Sequence, residues 1–550
     1  MTVGDRALDG TGTLLRVVLR RDRIQLTAWV AGITVFLAFS AFSLRDQFGD
    51  AGARASRATL MASPTLRSFR GPGYGLEDYT VAVMVAHELL LFGLIGVALM
   101  TVFMITRHTR AVEEDGRWEL VGSAVFGRQA GLAAAGVAAI AASSLTGTTT
   151  AITLVLTGGD EIDVATAVTF GLAMALTGAF FAGVGLVAAQ IATYARGANT
   201  IGLVVLAAAF VLRAVGDRGG PDDRTLSWAS PLGWAQAMRP GASERFWPAA
   251  LLVVATVALL ATATTLASRR DIGAGVVRPR TGPDVADRIL VHPAGFAWRL
   301  QRSATIGWMA GAAVVAAPFG TVVSDIDEFL GQNPQLADVF GADGGRLLDG
   351  FLGTVLLVVG LLAASAAVQA VLRLRTEEDR GRAELYLSTP VSRARWARTH
   401  VGWSLVTGST TMVAGIAALA GAAALDQRDA GLALDITVDG IAHLPAVWLF
   451  TAITAAVWWT APRLAFVSWL LVAHATFTGL LGEALDLPAP ARAVSPFHHV
   501  GSFTSSPTSS ASALVLLGLV AAGITIGRAI RHSDDTSLVD RRESTMTGSR

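Results

Sequence analysis

The 550-residue chain contains no cysteine and no lysine, so all 43 of its Lys+Arg positions are arginine. Without cysteine, disulfides, thiolate metal sites and cysteine nucleophiles are excluded. Without lysine the chain cannot form a phosphate-cradling P-loop, whose closing lysine neutralises the β/γ-phosphates, nor a Schiff base. Any ATP hydrolysis tied to this protein must come from another chain. Charge is also scarce, at 15% of residues against 52% hydrophobic, where an average soluble protein carries about 25% charged residues. With a mean hydropathy of +0.53, this composition belongs to a membrane protein. A formal net charge of +1 argues against a bulk polyanion-binding role, and no nucleic-acid partner is expected. The opening MTVGDRALDG has no apolar stretch ending in a small-residue cleavage site, so no removable signal peptide is expected.

What is present is a series of long apolar runs. A hydrocarbon core about 30 Å thick needs roughly 20 apolar residues of helix. That rule places spans at 26–44, 81–105, 129–157, 164–191, 200–215 and 247–267, then at 305–323, 351–372, 399–424, 441–460, 464–482 and 511–530. The run at 200–215 is short enough to suggest a broken or re-entrant helix. Segment 269–302 carries seven Arg against three Asp, whereas 158–163, 324–350 and 425–440 are acidic. The positive-inside rule then puts both termini in the cytoplasm of a bacterial cell, with the chain multi-pass in its plasma membrane. Loop 45–80, with five Arg against four acids, runs mildly against that assignment. Arg16, Arg20 and Arg23 recur at helical spacing within residues 13–23, and FAWRLQR at 296–302 repeats the theme. Both read as interfacial elbow helices lying on membrane lipid.

The chain repeats itself. RHTRAVEEDGRWELVGSAVFGR at 107–128 and RLRTEEDRGRAELYLSTPVSR from Arg373 are charged islands, each between two apolar runs. Gly116-Arg117-x-Glu119-Leu120 falls on Gly381-Arg382-x-Glu384-Leu385, and Ser230-Pro231 on Ser495-Pro496, both at an offset of 265. Ser63-Pro64-Thr65-Leu66 matches Asn333-Pro334-Gln335-Leu336. Six spans per copy, an even number, make the two copies parallel, unlike inverted repeats. The expected fold is therefore an all-α membrane protein of about twelve helices in two parallel six-helix halves. Residues 1–267 form the first half, 268–293 a cytoplasmic linker, 294–531 the second half and 532–550 a disordered tail, with the transport pathway between the halves.

If the islands are helical, Glu113/Arg117 and Glu378/Arg382 are i, i+4 pairs in the favourable orientation. Glu119/Leu120 and Glu384/Leu385 set one acid and one apolar residue at matching positions for contact, while Thr389-Pro390 biases the end of the second island away from helix. A solvated loop with internal pairs is the plain alternative; duplication at the same place in both halves favours a docking surface. EEDGRWEL and EEDRGRAELYLSTPVSR resemble the acidic-Gly-x-x-Glu-Leu-x-x-x-x-Pro-x-Ser segment of type-2 ABC export permeases. The fused twelve-span layout resembles, over essentially the whole chain, the actinobacterial permeases of the polyketide-antibiotic, tetronasin-like group. The resemblance implies that each island is a cytoplasmic coupling helix seated in a groove of a separate ATPase. Glu113, Glu114, Gly116, Arg117, Glu119 and Leu120, with Glu378, Asp379, Gly381, Arg382, Glu384 and Leu385, become the coupling residues. It implies two copies of the ATPase, which hold ATP and Mg while this chain holds no cofactor, and a hydrophobic or amphiphilic cargo.

Ionisable and polar residues inside spans are functional hypotheses by default. His87 and Glu88 in the second span, with Gln190, Gln369 and His474, are candidates for the translocation path. Bonding to a neighbouring helix is the plainer reading of the last three. Three rival functions are a secondary transporter moving protons through Glu88, a membrane-embedded enzyme or lipid-handling scaffold, and an exporter-like sensor. No catalytic carboxylate pair, Ser/His/Asp set, dinucleotide fingerprint or metal-ligand spacing is present; GPGYG at 71–75 reads as a loop turn, and Trp458 and Trp459 as part of an aromatic belt. The purified chain alone is expected to release no phosphate from ATP above a protein-free control. Turnover in a phosphate-release assay that survives repurification would overturn the argument from absent lysine.

Overall fold

A computed structural model describes residues 7–116, 126–222, 224–271, 273–277, 284–285, 287–321, 323, 344–482 and 487–500. Among them the protein is all-α, and eleven helices are long and apolar enough to cross a bilayer. Hydrocarbon offers no partner to backbone N–H and C=O groups, so an apolar chain satisfies them within each helix. The chain is an integral membrane protein of about twelve spans. The expected span at 511–530, the motif at 333–336 and the tail at 532–550 lie outside the described residues.

The chain forms two compact units, Met1–Gly282 and Pro283–Arg550. The first contains α1 (Thr11–Gln47), α2 (Val81–His108), α3 (Ala130–Gly158), α4 (Val164–Ile191), α5 (Ala195–Gly216) and α6 (Trp247–Arg269). Helix α4 packs against α2, α3, α5 and α6, and α1 lies mainly along α3. Leu94, Val97, Phe170, Met174 and Phe181 fill the centre, while Ile24 and Val35 of α1 and Val254 of α6 face outward, as suits contact with lipid. Small residues set the α3–α4 spacing. A Cβ on Gly147 would lie 2.2 Å from the Gly171 carbonyl oxygen, and one on Gly171 would lie 2.4 Å from that of Gly147. Backbone approach of this kind drives helix association where the solvent is itself apolar.

The second unit contains α7 (Pro293–Gly320), α8 (Gly344–Asp379), α9 (Arg393–Gln427), α10 (Leu444–Thr460) and α11 (Ser468–Leu481). Here α7 lies on α9, as α1 lies on α3, while the central helix is α8, which packs against α9, α10 and α11. Repeated motifs also take repeated shapes. Ser230 and Ser495 are buried residues that each precede a proline opening a short helix, Pro231–Gln236 and Pro496–His499, and proline suits a first helical position because its missing N–H has no partner there.

Four expectations change in detail. Residues 13–23 form no separate elbow; they are continuous with the first span in the 37-residue α1, about 55 Å of helix, and FAWRLQR is likewise the start of α7. The run at 200–215 is part of an unbroken 22-residue helix, α5. The acidic stretch 425–440 is the end of α9 followed by a helix, Ala430–Ile441, capped by Asp429. Loop 45–80 folds into Ala51–Met61 and Pro64–Arg70, and Arg45, Arg54, Arg57 and Arg70 are internally engaged. Arg57 pairs with Glu88, Arg45 with Glu161, and Arg54 donates to the carbonyls of Phe48, Gly49 and Tyr79. Charges neutralised inside the protein carry little weight in a count of free loop charge.

Gly147→Val should lower stability by about 1–3 kcal/mol through overpacking. Gly32→Val should change little, because nothing lies within 4 Å of the position its Cβ would take. Thermal unfolding in detergent distinguishes the two, and equal effects would mean that the α3–α4 contact is not close-packed.

Candidate coupling site

The island between α2 and α3 is anchored by a buried arginine. A short helix, Arg110–Glu114, follows α2 after a break at Thr109. The Arg110 side chain is fully buried and donates to the carbonyls of Ala189 and, at 2.9 Å, Ala274. Its remaining terminal nitrogen meets the Glu113 carboxylate at 3.0 Å. Arg270, just past α6, grips both Glu113 oxygens at 2.6 and 3.0 Å and donates through Nε to Gln190 Oε1 at 2.6 Å. The Gly273 N–H adds a further donor to Glu113 at 3.1 Å. Val276 and Val277 donate backbone N–H groups to the carbonyls of Gln190 and Ile191. Residues 270–271 and 273–277, within the stretch read from sequence as a cytoplasmic linker, thus close over the ends of α2 and α4.

Neighbouring charges complete this end of the unit. Asp22 of α1 is 2% exposed and accepts from Arg107 at 2.9 Å, with His108 Nε2 at 2.6 Å, so α1 is stapled to the end of α2. Glu114 accepts from the Ala195 N–H at 3.1 Å, placing a carboxylate at the start of α5, where helix N–H groups lack partners. Gly116 has φ 70°, a conformation glycine adopts without steric cost. Arg117, Glu119 and Leu120 lie outside the described residues.

The second island is described throughout. Helix α8 ends at Asp379, Gly381 turns the chain at φ 68°, close to the value at Gly116, and a new helix runs Arg382–Leu387. A continuous helix through Glu378 and Arg382 is therefore interrupted, which corrects the expected i, i+4 pairing. Arg382 reaches back to both oxygens of Glu377 at 2.7 and 3.0 Å, and Glu378 pairs with Arg393. Asp379 pairs with Arg375 at 2.9 Å. The short helix is seated by buried Ala383 and by Tyr386, which stacks on Phe296 with centroids 5.5 Å apart. Glu384 and Leu385 point away from the unit, Leu385 with 78% of its surface exposed. Thr389-Pro390 falls just beyond the helix end.

The in-span candidates are engaged within their own units. Glu88 holds Arg57 across both oxygens at 2.6 and 2.7 Å, and accepts from the Tyr79 hydroxyl at 3.2 Å. Arg70 donates to the Glu88 carbonyl at 2.8 Å. Burial, reinforced by the nearby Glu88 charge, pushes the Tyr79 phenol well above its usual range, so its O–H remains a donor. His87 Nδ1 lies 3.4 Å from that hydroxyl. Gln369 accepts from Trp308 Nε1 at 2.8 Å, and His474 Nε2 lies 3.0 Å from the Ala491 carbonyl. Trp458 is fully buried with its edge toward Trp396 and Trp459, which places that aromatic in a core instead of a belt.

Two comparisons bear on identity. Residues 290–530 match the family described as multidrug efflux system permease Rv1217c, C-terminal domain. Over 537 residues the chain is 38% identical to the multidrug efflux system permease protein Rv1217c of Mycobacterium tuberculosis (strain ATCC 25618 / H37Rv), covering 96% of this chain and 95% of the relative. The chain belongs to this family of efflux permeases. It is a multi-pass membrane permease, a subunit type that works with other components of an efflux system.

Sequence reasoning missed several residues that organise this permease. Arg110, Arg270 and Asp22 hold the island end, while Arg57, Arg213, Asp217 and Arg224 hold the opposite end of the first unit. Their signal was weak but present: Asp22 is the lone acid in a basic stretch, and Arg213 interrupts an apolar run. Glu113→Gln should leave fully buried Arg110 without its counter-charge and lower stability by about 3 kcal/mol. Glu113→Gln/Arg270→Gln should lose less than the sum of the two single changes, as expected for groups in contact. Unfolding in a denaturant series measures the cycle, and strict additivity would mean the pair contributes nothing.

Proposed function

We propose that this permease is the membrane subunit of an ATP-driven exporter of the type-2 ABC class, in the fused twelve-span form resembling the polyketide-antibiotic group. In this reading two copies of a separate ATPase, which bind ATP and Mg, dock at 107–128 and 373–395. Their closure pushes both islands and drives a hydrophobic or amphiphilic compound outward. Both termini face the cytoplasm with the islands. The observation that carries this reading is the helix Arg382–Leu387, which offers exposed Glu384 and Leu385 on a mount fixed by Ala383, Tyr386 and the Glu377–Arg382 pair. An acid beside an exposed apolar side chain on a projecting element offers a partner groove one charged and one apolar contact. The matching left-handed glycines at 116 and 381 support the same role for both copies.

Glu88 does not favour proton coupling, because a carboxylate clasped on both oxygens by Arg57 must lose a strong bidentate pair before it takes up a proton. Affinity purification of the tagged chain from its native host, in mild detergent, tests the proposal. A P-loop ATPase should accompany the wild-type protein and fall at least tenfold with Glu384→Arg or Leu385→Asp, a loss of about 1.4 kcal/mol or more, while the unfolding temperature stays unchanged. No ATPase with either protein, or equal recovery from both, would reduce the islands to solvated loops.

A further inference from the structure

We infer that the α1–α2 end of the first unit holds a binding site for the acid group of an anionic amphiphile, a carboxylate or phosphate on an apolar body, seated against Arg239. The connection from α5 to α6 folds back beneath residues 71–75 and the start of α2, leaving a pocket of about 30 Å³. Pro72, Tyr74 and Leu90 form its apolar walls, and His87, Gln236 and Arg239 its polar ones. No carboxylate lines it.

Two polar atoms there lack hydrogen-bond partners among the described residues: Gln236 Oε1 and Arg239 Nε. Gln236 is only 6% exposed, and its amide nitrogen is already committed to the Arg70 carbonyl at 2.7 Å. Buried polar groups are almost always satisfied in folded proteins, because an unpaired one costs about 1–3 kcal/mol. Two around one pocket point to a polar occupant. Charge gives its sign. Arg239 lines the pocket with its guanidinium 4.0 Å from the centre of the Tyr74 ring, Arg224 lies over the same ring, and at this end of the unit Arg57 and Arg70 share Glu88 while Arg213 and Arg224 share Asp217. Among the described residues Arg239 pairs with no carboxylate, so an anion can supply its counter-charge. A guanidinium edge fits carboxylate and phosphate oxygens, while Gln236 Oε1 suits a hydroxyl beside the acid. Arg239 also holds φ 55°, a left-handed conformation that is uncommon outside glycine and that clusters at ligand sites. The apolar walls take the first carbons of the ligand body.

The occupant could be a carboxylated solute or the phosphate of a phospholipid, and either would bind whether or not ATP drives transport. The full chain in phosphatidylcholine nanodiscs, with empty discs as baseline, is titrated with radiolabelled dodecanoate, dodecyl phosphate and dodecanol. Both acids should bind saturably and dodecanol at least tenfold more weakly. Arg239→Gln should weaken both acids about tenfold, the worth of one charge-assisted hydrogen bond, and leave dodecanol unchanged. Ala86→Leu fills the pocket without touching a charge and should also weaken both acids; it decides the matter if Arg239→Gln unfolds. Dodecanoate displaced when phosphatidylglycerol replaces part of the lipid assigns the site to a headgroup phosphate, and dodecanoate retained assigns it to a carboxylated solute. Equal binding of acids and alcohol, or unchanged acid binding in folded Arg239→Gln, overturns the inference.

Discussion

A charge taken out of water must find its counter-charge close by, and in this permease that constraint governs how each unit is joined. Removing an ion from water costs several kcal/mol that only a well-placed partner recovers. The arginines near span ends therefore act as staples. Arg110 and Arg270 close on Glu113, joining α2, α4 and the segment after α6. Arg107 closes on Asp22, joining α1 to α2. Arg57 closes on Glu88, fixing the Ala51–Met61 helix onto α2. Arginine suits this work better than lysine, since its planar fork engages two oxygens or several carbonyls at once and stays charged when buried.

The same chemistry serves two ends in different ways. At the island end of the first unit the carboxylate is wrapped by its own chain, so Glu113 stiffens the mount of the island. In the second unit, Glu377 and Glu378 are likewise spent internally on Arg382 and Arg393, leaving Glu384 and Leu385 as the exposed pair. At the opposite end of the first unit Arg57 and Arg70 share Glu88, Arg213 and Arg224 share Asp217, and Gln236 Oε1 and Arg239 Nε beside the pocket make no hydrogen bond among the described residues.

Much of the fold was legible because the bilayer imposes a length and a composition that any apolar run must meet. The run at 164–191 coincides with α4, and 81–105 begins where α2 begins. Boundaries failed where polar sequence continued as helix, as in residues 13–23 of α1 and 430–441, since helical hydrogen bonding does not end where hydropathy does. The island glycines were legible as a repeated pair, and their shared left-handed turn explains the repetition. The i, i+4 pairing at Glu378 was misread for the same reason: that spacing presupposes a helix, and Gly381 ends it.

Sequence by itself determined that this is an arginine-only, cysteine-free membrane protein with a duplicated charged island and no lysine to close a P-loop, because those properties depend on residue types, run lengths and spacing along the chain. Only the tertiary structure decided which charges meet. Arg270 lies 157 positions from Glu113 and Asp22 lies 86 from His108, and nothing local in either stretch names its partner. Helix packing brings them together, and in a medium without water that meeting separates a buried staple from an exposed contact residue.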